Sequence, residues 1–481
     1  MTNAAVLGKK MSLPKPFWVL WAVELWERFG YYGTQAILAL YFAEKLGFSE
    51  KQSFYVFGSF SAFVYGFIWV GGFTGDKYLG AKRTMLTGAI ILALAYASLA
   101  VATQATVFYS LAAIIVGNAL FKANPSSLIS KLYEQGDSRL DGAMTLYYMA
   151  VNVGAFISQV MTPIIAENYG WGLAFAVSAV GLTLGIINFT LCRKIMADVA
   201  TEAGREPLNI TRLLIVLGGS LLAIVGIAQI ITHTWICNIV IYLVVTGGLL
   251  YFLKIAFTLQ GRDRARMIIA AVLILQAVVF FVLYNQMPTS LTFFAKHNIH
   301  NYIFGLHIPP AEYQGLNPFF IVIMSPILAF FYGRFPATHI TKFCIGMTLC
   351  ALAFLTLYLP QFISATGIVS PLWMVVSYYF QSVGELFVSA LGLSMVAELC
   401  PKVLSGFVMG IWFLSSMLAG PVGAWVGALT APQGGADLTP VQSLQIYTNV
   451  FGKIGLVTLT IAILMWMSRR YFNRLIGAPT V

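Results

Sequence analysis

About fourteen apolar stretches of roughly twenty residues follow one another along this chain, near 16–43, 52–74, 84–103, 105–128, 141–165, 171–192, 212–232, 236–257, 267–295, 316–333, 341–360, 371–399, 405–430 and 444–468. About twenty helical residues match the roughly 30 Å hydrocarbon layer of a bilayer. In that solvent every backbone polar group needs an internal partner, which leaves only helices or a closed barrel. Segments this long read as helices, so the expected fold class is an all-α polytopic membrane protein. The residue balance agrees, with 59% of the 481 residues hydrophobic and 9% charged, against about a quarter charged in soluble domains.

The net charge of +11 would suit a nucleic-acid partner, but its distribution points elsewhere. With the N-terminus placed in the cytoplasm, all but six of the 28 Lys and Arg fall on the inner side. Lys45, Lys51, Lys296 and Lys453 lie outside, and Arg28 and Lys122 lie within the membrane. This is the positive-inside pattern. It predicts two cytoplasmic termini, the lipid bilayer as partner and no nucleic acid. The opening residues lead through Lys9, Lys10 and Lys15 into the first apolar stretch without a small-residue cleavage site. No removable signal is expected, and the first helix serves as the targeting signal. Cys192, Cys237, Cys344, Cys350 and Cys400 sit in or beside apolar segments without a CxxC spacing, so we read them as packing residues, with no disulfide, metal or other cofactor.

Two basic stretches, Arg193–Arg212 and Gln260–Arg266, divide the chain into six apolar segments, two, and six more. The expected units are an N-terminal six-helix bundle at 1–195, a linker with two additional helices at 196–262, and a C-terminal six-helix bundle at 263–481. Transporters built from parallel repeats hold substrate near the midplane between their halves. The middle pair carries little polarity beyond Gln229 and His233 and reads as a lipid-facing spacer.

Polar residues concentrate on a few segments. In the first, Glu24, Glu27, Arg28, Tyr31, Tyr32 and Gln35 recur at i, i+3, i+4, i+7, i+8 and i+11, one stripe of a helix. Ionisable groups at membrane depth are costly and are kept where they pair or face water, substrate or a proton path. The 105–128 segment places Asn118 and Lys122 one turn apart, with Pro125 expected to bend it. The next pairs Tyr148 with Asn152 on one face, and 371–399 carries Gln381, Ser382, Glu385 and Ser389 as a stripe. Tyr65, Asn285, Gln286, Asn317 and Trp412 are weaker members. The first half supplies Arg28 and Lys122, and the second supplies Glu385. A cavity between them would be positive on one wall and negative on the other, which suits a small zwitterion with separated ends.

Plainer readings stand beside these. Glu24 with Arg28 forms an i, i+4 pair that could be structural, and Lys122 could extend to the cytoplasm. Glu398 is expected at the membrane interface near Pro401 and Lys402. All five histidines, His233, His297, His300, His307 and His339, fall in segments read as loops, leaving no mid-membrane base, and neither GxSxG nor HExxH occurs. No catalytic residues are assigned, and the chain is not expected to be an enzyme.

At these residues the sequence resembles the proton-dependent oligopeptide transporters of the major facilitator superfamily, and among them bacterial dipeptide and tripeptide permeases. The run Glu24-x-x-Glu27-Arg28-Phe29-x-Tyr31-Tyr32-Gly33 is similar to the family's first-helix signature. Lys122-Ala-Asn-Pro-Ser-Ser, Tyr147-Tyr148-x-x-Val151-Asn152-x-Gly154 and Gly384-Glu385-Leu resemble three more of its motifs. Gly71-Gly72-Phe-Thr-Gly75-Asp76, followed by Gly80, Lys82 and Arg83, resembles the superfamily's cytoplasmic loop motif. The resemblance implies a major facilitator fold with fourteen transmembrane helices in a bacterial inner membrane. It implies proton-coupled uptake of di- and tripeptides, with a monomer as the working unit. Glu24, Glu27 and Arg28 would couple protons. Arg28 and Lys122 would attract the peptide carboxylate, and Glu385 with Asn317 the amine. Asn152 and Tyr148 would bind the backbone, while Tyr32, Tyr65, Gln286 and Trp412 would complete the pocket. Two departures stand out: Asn285 occupies the place of a family carboxylate, and Gln35 replaces a frequent cation. The alternatives are a related carrier of nitrate, an amino-acid derivative or an exported drug, or a peptide-sensing receptor.

Overall fold

A computed structural model describes residues 13–134, 137, 139–334, 337–401, 404–432 and 438–477. Lys9, Lys10 and Lys402, used in the charge reading, lie outside the described residues. The described chain is helical almost throughout. In order, the helices are α1 (Lys15–Glu44), α2 (Glu50–Gly66), α3 (Ile68–Phe73), α4 (Ala81–Ala100), α5 (Val107–Phe121), α6 (Asn124–Ser130), α7 (Arg139–Tyr169), α8 (Trp171–Leu191) and α9 (Glu202–Arg205). They continue as α10 (Ile210–Thr232), α11 (Thr234–Thr258), α12 (Gly261–Tyr284), α13 (Thr292–Asn298), α14 (Leu316–Arg334), α15 (His339–Thr356), α16 (Leu372–Leu399), α17 (Ser405–Ala428) and α18 (Pro440–Ile476). Among the described residues, 13 helical segments are long and apolar enough to cross a membrane. The 30-residue α1 adds to them, bearing the charged stripe that lowers its own hydropathy.

Local sequence explains where the helices start and where they break. Ser49, Asn209 and Thr338 cap α2, α10 and α15 with side-chain oxygens that accept the first orphan N–H groups. Thr439 and Gln442 form a reciprocal capping box at α18. Three expected spans are interrupted. The second breaks at Phe67 and runs from α3 into a π turn at Thr74–Tyr78. The fourth breaks at Lys122 and Ala123, where Pro125 supplies no amide hydrogen. Asn124 Nδ2 donates to the carbonyls of Leu120 at 2.7 Å and Gly71 at 3.2 Å, satisfying backbone at that break and tying it to α3. The span beginning with α12 passes through a π turn at Met287–Leu291, carrying Pro288, before α13. A short hairpin pairs Tyr302–Ile303 (β1) with Leu306–His307 (β2) in a segment expected to be loop, turning on Phe304 and Gly305, both at positive φ.

The N-terminal helices pack α1 against α7 and α8, and α4 against α5 and α8, while α15 packs against α16 and α18 in the C-terminal set. The two sets meet chiefly along α2 and α17 and along α7 and α14. Glycine makes the first contact possible: a Cβ on Gly58 would meet the Gly420 carbonyl at 2.5 Å. The pair α10 and α11 lies outside this packing, α10 against α5 and α11 against α17. Only 22% and 17% of their most apolar windows are buried, so they expose mainly apolar surface.

Candidate functional site

Helical spacing places Glu24, Glu27 and Arg28 on the buried face of α1, against α7. Gly154 lets α7 approach there, since a Cβ at that position would lie 2.5 Å from the Leu25 carbonyl and 3.3 Å from Arg28 Cβ. Arg28 pairs with Glu27 and holds Glu24 Oε1 at 3.4 Å from its Nε. Lys122 Nζ, at the end of α5, reaches the same Glu24 oxygen at 3.5 Å. Two acids and two cations therefore form one nearly water-free group, in which Lys122 keeps the most exposure at 27%. Glu27 Oε1 accepts no hydrogen bond from the described protein, so the group holds unused acceptor capacity. The Arg28 guanidinium lies 5.2 Å from the Tyr31 ring centre and 5.9 Å from that of Tyr32.

The second charged element sits on α16. Glu385 is buried and accepts a hydrogen bond from Asn317 Nδ2, on α14, at 2.8 Å. Asn317 also donates to Ser382 Oγ at 3.1 Å. Among the described residues no cation lies within ion-pair distance of Glu385. Tyr32 and Tyr65 each lie within electrostatic range of both Arg28 and Glu385. Tyr148 lies within range of Glu385 and Tyr65, and the Asn152 amide donates to the Tyr148 carbonyl at 2.9 Å. The N-terminal group thus balances two acids against two cations, while Glu385 has no cationic partner among the described residues.

Three residues named from sequence sit differently. Gln286 is fully buried, donates to the Val282 and Gly423 carbonyls at 2.9 and 3.0 Å, and accepts from Ser290 at 2.7 Å. Its amide is committed to packing α12 against α17. Trp412 is 4% exposed, edge-on to Phe281 and Phe343. Asn285 accepts from Ser61 Oγ at 3.2 Å, a contact between α2 and the end of α12. Glu398 is exposed and pairs with His339 at 2.7 Å, in keeping with an interfacial position.

Sequence reading missed Tyr284, which lies within range of Tyr32 and Glu385; its place beside Asn285 and Gln286 was the available signal. It also missed a row of side-chain contacts between acids and bases on the face assigned to the outside. Lys296 meets Glu44 at 2.8 Å, His297 meets Glu50 at 2.7 Å, and His307 meets Glu167 at 3.5 Å. In each the acid comes from a helix of the N-terminal set and the base from the C-terminal part of the chain. The loop assignment of histidines is corrected at three of them: His297 lies in α13, His307 in β2, and His339 opens α15. Helix resumes after the Pro288 break and carries His297 with it.

The POT family pattern matches residues 82–435. The chain is 47% identical over 478 residues to dipeptide and tripeptide permease B of Aeromonas hydrophila, covering 97% of this chain and 95% of that one. It is 47% identical over 469 residues to dipeptide and tripeptide permease A of Escherichia coli K12, covering 96% and 93%. Its fold matches the crystal structure of tetrameric PepTSo2 with a TM-score of 0.86 at 35% identity, covering 96% and 99% of the two chains. It matches a mutant of the peptide transporter POT in complex with alafosfalin with a TM-score of 0.84 at 28% identity, covering 96% of each.

Proposed function

The chain belongs to the POT family, and on that premise we propose that it is a proton-coupled symporter that takes up di- and tripeptides by alternating access. It is a multi-pass protein of the bacterial inner membrane with a major facilitator fold, and a transporter rather than an enzyme. We assign the halves to 1–195 and 263–481, with the additional pair at 196–262. Every residue assigned to the site comes from one chain, and we take the monomer as the transporting unit.

One observation carries the reading: a buried Glu385, oriented by Asn317, has no cationic partner among the described residues, while Tyr32 and Tyr65 lie within electrostatic range of both it and Arg28. A dipeptide is a zwitterion spanning about 7 Å when extended. Its ammonium supplies the cation that Glu385 lacks, and its carboxylate goes to Arg28 and Lys122. Asn152 and Tyr148 offer hydrogen bonds to the peptide backbone, and Tyr32 and Tyr65 form the wall between its ends. In the resting group Arg28 and Lys122 are occupied by Glu24 and Glu27. Protonation of either acid weakens its hold and releases positive charge toward the peptide carboxylate. Proton and peptide thereby favour the same state, the differential interaction that coupling requires. A peptide bridging both sets of helices then favours their closure around it.

The test is uptake of a labelled dipeptide into proteoliposomes under an inward proton gradient. Glu385→Gln and Arg28→Ala, each checked for normal folding, abolish accumulation. Parental rates in either folded variant would falsify the assignment.

A further inference from the structure

Three cations converge in a cavity that the transport site does not use. Lys82 and Arg83 open α4, and Arg193 follows the end of α8. Together with Ala81, Ala200, Thr201 and Gly204 they line a volume of about 630 Å3. Its walls are fixed by backbone contacts. Gly80 adopts φ 94°, and a Cβ there would come within 2.5 Å of Gly204 Cα, so glycine lets the segment before α10 lie directly on the loop before α4. Thr201 Oγ1 clamps the two, donating to the Gly75 carbonyl at 2.9 Å and accepting from the Ala81 amide at 3.1 Å.

The cationic heads are positioned but not neutralised. Lys82 Nζ donates to the carbonyls of Met196 and Ala197 at 2.7 and 3.2 Å. Arg83 donates to the carbonyls of Glu206 at 2.8 Å and Leu79 at 3.4 Å. A carbonyl orients a cation without cancelling its charge. The Glu206 carboxylate turns away to Arg212 at 3.1 Å. Asp198 acts on Lys82 only from beyond ion-pair distance. Among the described residues the Arg193 side chain has neither hydrogen bond nor ion pair, and none of the three cations meets a carboxylate. Leu191, two residues before Arg193, is 78% exposed, and Ile210 and Leu214 on α10 are 67% and 62% exposed.

We infer that Lys82, Arg83 and Arg193 form a site for an anionic phosphate group, supplied by the headgroup of an anionic phospholipid. Guanidinium forks match phosphate oxygens in geometry and charge. Basic pockets beside membrane helices suit such headgroups, and exposed apolar side chains at the end of α8 and the start of α10 are available to acyl chains. A bound headgroup ties α4, the end of α8 and the segment before α10 together, so occupancy stabilises the folded chain.

The experiment measures thermal unfolding of delipidated full-length protein in neutral detergent at fixed low ionic strength. The additions are dioctanoyl phosphatidylglycerol, dioctanoyl phosphatidylcholine or inorganic phosphate. Phosphatidylglycerol raises Tm by several degrees and phosphatidylcholine by much less. Arg193→Gln, whose side chain has no structural partner to lose, at least halves that shift. Arg193→Lys keeps most of it, and Lys131→Gln, at an exposed cation elsewhere, leaves it intact. An equal, Arg193-dependent shift with inorganic phosphate supports the phosphate site and overturns the lipid as its source. Equal shifts with the two lipids, or a phosphatidylglycerol shift indifferent to Arg193→Gln, overturn the proposal.

Discussion

Asn317 donates to Glu385 at 2.8 Å from a neighbouring helix, so the buried acid of the C-terminal set is oriented by an amide and has no cationic partner among the described residues. Arg28, by contrast, is shared between two carboxylates. Burying a charge without a partner is costly. A chain that compensates four ionisable groups on one side and leaves one uncompensated opposite them has a place for a mobile positive charge. On the proposed function the peptide ammonium is that charge, and the predictions that follow test this site and the packing around it.

Asn317→Ala removes the donor that aims Glu385. Peptide KM is expected to rise about tenfold, equivalent to about 1.4 kcal/mol, with Vmax changed less. Concentration-dependent uptake measures it, and an unchanged KM would separate Asn317 from amine recognition.

Lys122→Gln leaves Glu24 with Arg28 alone. Uptake of a free dipeptide should fall at least tenfold, while a C-terminally amidated dipeptide, a poor substrate already, should lose little more. Competition by the two forms reads the difference. If the variant still prefers the free carboxylate as strongly as the parent does, Lys122 does not recognise that end.

Gly154→Val pushes a side chain into the Leu25 carbonyl and Arg28. Overpacking of this kind costs about 1–3 kcal/mol, so Tm should drop by several degrees and uptake should fail with it. A stable variant with parental uptake would mean that α1 and α7 can separate at no cost. Trp412→Ala is the companion case: its ring is packed against Phe281 and Phe343, and truncation should cost about 3–5 kcal/mol. A change in side-chain preference with no loss of stability would instead make Trp412 a wall of the peptide pocket.

Lys296→Glu faces Glu44 with a like charge on the face assigned to the outside. Because both side chains are more than one-third exposed, stability should change by about 1 kcal/mol or less. Transport should suffer more, through weaker closure on that face. Adding Glu44→Lys restores the pair, and recovered uptake in the double variant checks it. A double variant no better than the single one would show that the pair does not hold the face shut.

Much of the molecule was legible in one dimension. Segment lengths near twenty residues identify membrane helices because the bilayer sets that length and forbids open backbone. The i, i+3, i+4 stripe from Glu24 to Gln35 followed from helical geometry alone, and the structure buries Glu24, Glu27, Arg28, Tyr31 and Gln35 from that face. The opposite signs of Arg28 with Lys122 and of Glu385 were visible as composition along the chain. The partners were not. Gln286 and Asn285 are adjacent, yet one is spent on the Gly423 carbonyl and the other on Ser61. No local pattern distinguishes them, because which face of α12 meets α17 or α2 depends on how distant helices pack. The outer pairs, Glu44 with Lys296 and Glu50 with His297, join residues far apart in sequence. Periodicity specifies a helix and its polar face, since these depend on neighbours within a turn. Which charges meet, and which one stays uncompensated, was decided only when segments hundreds of residues apart came within a few ångströms.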